Sequence, residues 1–343
     1  MTEREEQDCA DFPGGKAAND ASLSGKPLGI YIHIPFCARK CAYCDFLSAP
    51  ATEETMRLYA DSLKREMREA AEILRQEYVV STVFFGGGTP SILPESVLSG
   101  ILEELFCLMP VKTDAEITVE CNPGTLTETK LKAYRASGVN RLSIGLQSAD
   151  NRELQLLGRI HTFEEFAENY ELARETGFQN LNVDLMSALP GQTREGWMET
   201  LYKVTELEPE HISAYSLIIE EGTPFYEKYK EGGPGYAALP DEDTDRLMYE
   251  DTKKILEARG YQRYEISNYA RPGFACRHNL SYWERTAYKG FGLGAASLLG
   301  NRRYRNGDSL SEYLAGNFSY DSVTVLSRKE ELEETMFLVL RKM

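Results

Sequence analysis

The stretch LGIYIHIPFCARKCAYCDF, residues 28–46, joins a β-rich apolar run to three cysteines that fall within eight residues. The run 28–34 reads as a strand closed by Pro35. Cys37, Cys41 and Cys44 follow it directly in a CxxxCxxC spacing, at what would be the C-terminal mouth of a parallel sheet, where such folds build their active sites. Thiolates separated by three and two residues can wrap one corner of a cuboid cluster, and cysteine is the usual ligand of iron–sulfur cubanes. Three ligands for four irons leave one iron open to a cofactor or substrate. A structural zinc ion would instead want a fourth Cys or His nearby; His33 is the local candidate, and the spacing is not that of common zinc knuckles.

Working outward, the same unit recurs. Apolar β-rich runs at 28–34, 79–85, 115–121, 140–146, 179–185 and 210–216 predict six strands, with helical stretches between them over 94–107, 127–137, 162–176 and 193–206. The first intervening helix is the clearest. Met56, Tyr59, Ala60, Leu63, Met67, Ala70, Ala71 and Leu74 recur at three-to-four spacing and form one apolar stripe. Parallel strands need such crossovers. The pattern fits an α/β fold, either a partial TIM-like barrel or a doubly wound open sheet, and periodicity alone does not choose between them.

Residues 1–27 carry no apolar periodicity and are expected to be a flexible lead-in. Gly232-Gly233-Pro234-Gly235 marks a loop or hinge, followed by a helix near 241–259. The expected division is therefore a flexible segment 1–27, a barrel 28–235 and a C-terminal α+β region 236–343. Near the end, Ser327 and Glu330 form a capping box opening a helix on which Leu332, Met336, Val339 and Leu340 share a face. A face so fully apolar suggests that the C-terminal region is incomplete or meets a partner.

Bulk composition narrows the partners. The formal charge of −16 repels phosphate backbones and anionic lipid surfaces, which speaks against nucleic acid. No signal peptide and no run of about 18 apolar residues is present, so a cytoplasmic protein is expected. Clustering of three of the seven cysteines suits metal ligation in a reducing compartment better than disulfides.

Later strand ends supply polar groups in order. Gly86, Gly87 and Gly88 precede Thr89-Pro90 after the second strand, and a glycine run there lets a backbone approach a ligand closely. Glu120 ends the third strand, placed to accept from ribose hydroxyls. Gln147 ends the fourth, Asp184 lies near the end of the fifth, and Arg159 lies between them. Successive strand ends that each offer a hydrogen-bonding side chain to one rim form a ligand-site pattern.

CxxxCxxC with Tyr43 just before the last cysteine resembles the radical S-adenosylmethionine (SAM) superfamily. That resemblance implies a [4Fe-4S] cluster on Cys37, Cys41 and Cys44, with the amine and carboxylate of S-adenosyl-L-methionine on its open iron. YIHIPFC, FGGGTPS, ECNPG, SIGLQS and NVDLM, with their intervals, are similar to the coproporphyrinogen III dehydrogenase and HemW branch over nearly all of residues 28–317. The branch implies a partial (β/α)6 barrel with a C-terminal extension. It also implies that Tyr31, Tyr43, Gly87, Gly88, Thr89, Glu120, Gln147, Arg159 and Asp184 line the SAM site.

Two features separate the members of that branch. The dehydrogenases carry a further cysteine two positions after the cluster, where this chain has Phe46. HNLSYW, residues 278–283, resembles the HNxxYW haem-binding motif of the HemW proteins. On its residues alone, His278 is either a haem ligand with flat aromatic neighbours or a histidine satisfied locally beside two core aromatics. The resemblance favours haem. It implies a haem chaperone rather than a coproporphyrinogen oxidase, passing haem to acceptor apoproteins such as respiratory enzymes, and it admits a homodimer and peripheral membrane association. Oxidative decarboxylation of coproporphyrinogen III is the alternative.

Overall fold

The computed structural model describes residues 25–342. Most of the expected lead-in, and Cys9 with it, lies outside the described residues. Lys26 and Pro27 already belong to the first strand.

Six parallel strands form the centre: β1 (Lys26–Ile34), β2 (Tyr78–Gly87), β3 (Val111–Cys121), β4 (Arg141–Gln147), β5 (Leu181–Ser187) and β6 (His211–Ser216). They pair in chain order, each parallel to the next. The helices between them are α1 (Glu53–Glu77), α2 (Glu95–Leu108), α3 (Glu128–Ala136), α4 (Asn151–Leu157), α5 (Phe163–Glu175) and α6 (Arg194–Glu206). Six parallel strands in chain order with helical crossovers form the partial (β/α)6 barrel that the resemblance implies.

Local signals explain the elements. Threonines cap several helices: Thr52 accepts from Thr55, Thr127 from Lys130 and Thr193 from Gly196, while Thr162 and Glu165 complete a capping box on α5. The predicted stripe of α1 is buried against the sheet except for the half-buried Ala70, with Tyr59 and Leu63 wholly inaccessible. Strand residues such as Ile30, Ile32, Val83, Phe85, Val119, Leu142, Ile144, Val183 and Leu185 fill the space between sheet and helices. Burial on both faces is what gives parallel strands their continuous apolar runs.

Beyond β6 lie α7 (Pro224–Tyr229), α8 (Glu242–Ala258), β7 (Gln262–Arg263), β8 (Asn268–Ala270), α9 (Arg277–Trp283), β9 (Tyr288–Phe291), β10 (Ala296–Leu299), β11 (Arg302–Asn306), α10 (Leu310–Leu314), β12 (Tyr320–Val325) and α11 (Arg328–Val339). The region after 236 does not build a sheet of its own. Its strands extend the central one at both edges, giving the order β12-β11-β10-β9-β1-β2-β3-β4-β5-β6-β8-β7. β9 runs parallel to β1, and β8 antiparallel to β6.

One buried carboxylate ties the β9 flank to the barrel. Glu66 on α1 accepts from Lys289 (3.2 Å), Asn306 (2.8 Å), the Gly292 amide (2.9 Å) and the Tyr313 hydroxyl (2.7 Å). Nearby, the Tyr59 hydroxyl donates to the His33 carbonyl (2.8 Å) and accepts from the Leu293 amide (3.0 Å). At the far end the capping box of Ser327 and Glu330 is formed, while Leu332, Met336, Val339 and Leu340 are exposed.

Candidate cofactor site

The loop after β1 is clamped at its base and its tip. The Cys37 amide donates to the Ala49 carbonyl (3.1 Å) and the Ala49 amide to the Pro35 carbonyl (3.0 Å). At the tip, the Ala42 amide donates to the Leu157 carbonyl at the end of α4 (3.1 Å), and the Phe225 amide to the Ala42 carbonyl (3.0 Å). Tyr43 packs edge-on against Phe225. A loop fixed at both points holds its cysteines over the strand ends.

Cys37, Cys41 and Cys44 line a cavity of about 360 Å³. The Cys37 thiol lies 3.4 Å from the Thr89 hydroxyl, and the Arg159 guanidinium donates to the Cys41 sulfur at 3.6 Å. Burial raises the pKa of Cys44, as do the neighbouring Cys41 and Cys37, with partial relief from a backbone hydrogen bond at Phe46. Among the described residues, no three of His, Cys, Asp and Glu converge as ligands of a single ion would.

The same cavity receives Tyr43, Gly87, Gly88, Thr89, Glu120, Gln147, Arg159 and Asp184. Eight of the nine residues expected around SAM thus share one chamber. Tyr31 does not line it: its ring stacks with Phe84 and its hydroxyl meets His33 Nδ1 at 3.1 Å, in a second cavity beside β9. The glycines also call for a different physical reason. A Cβ on Gly87 would stand 2.5 Å from the His33 ring, and one on Gly88 2.6 Å from the Phe36 carbonyl oxygen. Close packing of the β2 end against β1 and the start of the cluster loop is what demands them there.

Arg159 organises the floor. It donates to Asn122 Oδ1 (2.7 Å) and to the Gly145 carbonyl (2.5 Å), while its Nε is buried without a partner. Asn122 in turn donates to Thr89 (2.8 Å). A buried donor left over in a chamber that already holds three thiols fits a site completed by a polar group. Gln147 reaches the chamber from a left-handed backbone, φ 76°, at the end of β4.

Glu120 accepts from the Gly87 amide at 3.3 Å. Burial, followed by the charge of Asp184, pushes its carboxyl up to about 8. Asp184 is raised by burial as well, but hydrogen bonds from Asn182, Ser213 and Ser143 hold part of that shift back. The sign for Glu120 follows directly. The folded state holds a proton that the unfolded chain releases, so stability falls as pH rises from the unfolded carboxylate range to about 8. Glu120→Gln is expected to flatten that decline and to stabilise the ligand-free protein by up to about 4 kcal/mol above pH 8. Urea midpoints of both proteins from pH 5 to about 9 check this; parallel curves would refute it.

His278 occupies a different place. Its ring is 1% exposed, stacked on Phe84, with Nδ1 2.8 Å from the Thr82 hydroxyl and Nε2 3.0 Å from the Tyr282 hydroxyl. Burial lowers its pKa to about 3, with the charge of Arg141 adding to the effect. The imidazole lines neither cavity. With both nitrogens engaged, the geometry is that of the locally satisfied histidine, one of the two readings that the sequence left open.

Asn122, Ser143, Met186 and Tyr215 also line the cluster cavity, although the sequence reading gave them no role. Strand alternation was the available signal for Ser143, which shares a face of β4 with Gly145 and Gln147.

Comparison with known proteins agrees with this geometry. Residues 31–203 match the model of the Radical SAM superfamily. The heme chaperone HemW of Lactococcus lactis is 38% identical over 319 residues, 92% of this chain and 82% of that protein. The chain belongs to the radical SAM superfamily and, within it, to the HemW family. HemW of Escherichia coli is 41% identical over 271 residues, 78% of this chain and 69% of its own length. Among solved structures, coproporphyrinogen III oxidase (HemN) of Escherichia coli, a radical SAM enzyme, superposes with a TM-score of 0.81 at 26% identity, covering 99% of this chain and 79% of its own. Among the described residues of this HemW-family chain, no helix is long and apolar enough to cross a membrane.

Proposed function

We propose that this protein is a haem chaperone that binds haem and hands it to acceptor apoproteins such as respiratory enzymes. The observation that carries the reading is the 36–41% identity to several proteins named heme chaperone HemW, over most of the chain. Phe46, standing where coproporphyrinogen dehydrogenases carry a further cysteine, points the same way.

Cys37, Cys41 and Cys44 would hold a [4Fe-4S] cluster with one iron left for S-adenosyl-L-methionine. When bound, that pair supplies one-electron chemistry at a carbon–sulfur bond. The chain's own part is placement. Thr89 and Arg159 hold Cys37 and Cys41, Glu120 and Asp184 offer carboxyl oxygens to hydroxyl groups of the ligand, and Gln147 offers its amide. A largely protonated Glu120 at neutral pH can donate as well as accept. Cytoplasmic residence, a homodimer and peripheral membrane contact belong to the same proposal.

The test uses anaerobically reconstituted protein. Added haem is expected to give a saturable Soret shift and to pass to an apoprotein acceptor, while coproporphyrinogen III with SAM and reductant is left intact. Decarboxylation without haem uptake would replace the chaperone with the dehydrogenase.

A further inference from the structure

Below the cluster chamber, a line of buried polar side chains crosses the barrel from β4 to β6. Ser143, Asn182 and His211 stand in register on adjacent strands, and Asp184 lies one pleat beyond Asn182 on the same face of β5. His211 Nδ1 lies 2.5 Å from Asn182 Oδ1, and its Nε2 2.7 Å from the Tyr264 hydroxyl. Asn182 Nδ2 reaches Ser143 Oγ at 2.7 Å and Asp184 Oδ1 at 2.8 Å, and Ser143 donates to the other Asp184 oxygen at 3.1 Å. Ser213 donates to Asn182 Oδ1 at 3.2 Å.

The donors orient the whole line. The Cys276 amide donates to the Tyr264 hydroxyl at 3.3 Å, so the hydroxyl's own proton goes to His211 Nε2. Burial keeps the imidazole neutral, with the charge of Arg141 adding to the effect, so its one N–H sits on Nδ1 and points at Asn182 Oδ1. Asn182 then turns both amide hydrogens toward Ser143 and Asp184. In the opposite order Asp184 would carry a proton, and the Tyr264 hydroxyl would accept from both His211 and Cys276 with its own hydrogen unplaced, a costly arrangement away from water. The surroundings of Asp184 agree. Glu120 and Cys121 face it from β3, Arg141 from β4 and Tyr215 from β6. The buried Arg141 favours its carboxylate, and that negative charge adds to burial in holding a proton on Glu120.

We infer that His211, acting through Asn182, is a positioning residue that keeps Asp184 ionised and leaves the chamber's proton on Glu120. The chamber then offers a ligand one accepting carboxylate and one donating carboxyl, the pair that a vicinal diol matches, since each hydroxyl both gives and takes a hydrogen bond. The inference deepens the cofactor reading above and rests on it only for the identity of the ligand, S-adenosyl-L-methionine.

Infrared spectra of anaerobically reconstituted, SAM-free protein at neutral pH read the buried carboxyl C=O band. That band is expected in the wild type, lost in Glu120→Gln and retained in Asp184→Asn. His211→Phe, which removes the Nδ1 donor, is expected to add a second carboxyl band on the acid side of neutrality and to weaken SAM binding by roughly tenfold. His211→Asn, which can place an amide N–H where Nδ1 stood, is expected to restore both. Circular dichroism checks folding, and the Glu120 and Asp184 variants decide the seat of the proton even where His211→Phe does not fold. A band lost in Asp184→Asn and kept in Glu120→Gln would overturn the inference, as would wild-type spectra and affinity in folded His211→Phe. Failure of the wild type to bind SAM in equilibrium dialysis would sink the cofactor reading alone, because the infrared assignment needs no ligand.

Discussion

Anaerobically reconstituted Cys37→Ala protein is expected to lose the brown iron–sulfur chromophore, with iron per chain falling from about four to near zero. Cys37 is the most buried of the three cysteines, and its thiol lies against the Thr89 hydroxyl. The loop keeps its backbone clamps to Ala49 and Leu157, which means that fold loss does not explain the change. Cys107→Ser, an exposed position on α2, serves as the control that retains full iron. Zinc in place of iron in the wild type, released together with Cys37→Ala, would refute the cluster assignment.

Glu66→Ala is expected to be the most damaging change to stability, at about 3–5 kcal/mol. It strands Lys289, 3% exposed, without its counter-charge, and removes the acceptor of Asn306, Tyr313 and the Gly292 amide at one stroke. Glu66→Gln keeps an acceptor oxygen but not the charge, so its loss should be smaller. Urea unfolding gives both numbers. A cost below about 1 kcal/mol for the alanine variant would mean that water replaces the carboxylate, contrary to the burial of this pair.

The central barrel was legible because its information is local. Continuous apolar runs and the stripe on α1 each declare themselves within a single window, and β1 to β6 lie where those runs predict. Strands β7 to β12 did not declare themselves. They are two to six residues long, and their attachment to the centre is decided by partners far away, as when Tyr288 aligns with Gly29. The cluster cavity was legible through strand ends, where an acid or amide breaks an apolar run. The second cavity was not, since its walls come from β1, the cluster loop, α9, β9 and β11, and no single motif spans them. His278 shows the limit most clearly: the sequence places it beside Tyr282, but only the fold reveals that Thr82, 196 residues away, holds its other nitrogen.

One ladder runs unbroken from β12 to β7, and this constrains anyone who would trim the protein to its barrel. Cutting after residue 235 would strip the hydrogen-bonding partners from β1 on one margin and β6 on the other. Both bared margins would present unpaired backbone N–H and C=O groups, the condition under which sheets recruit one another into insoluble stacks.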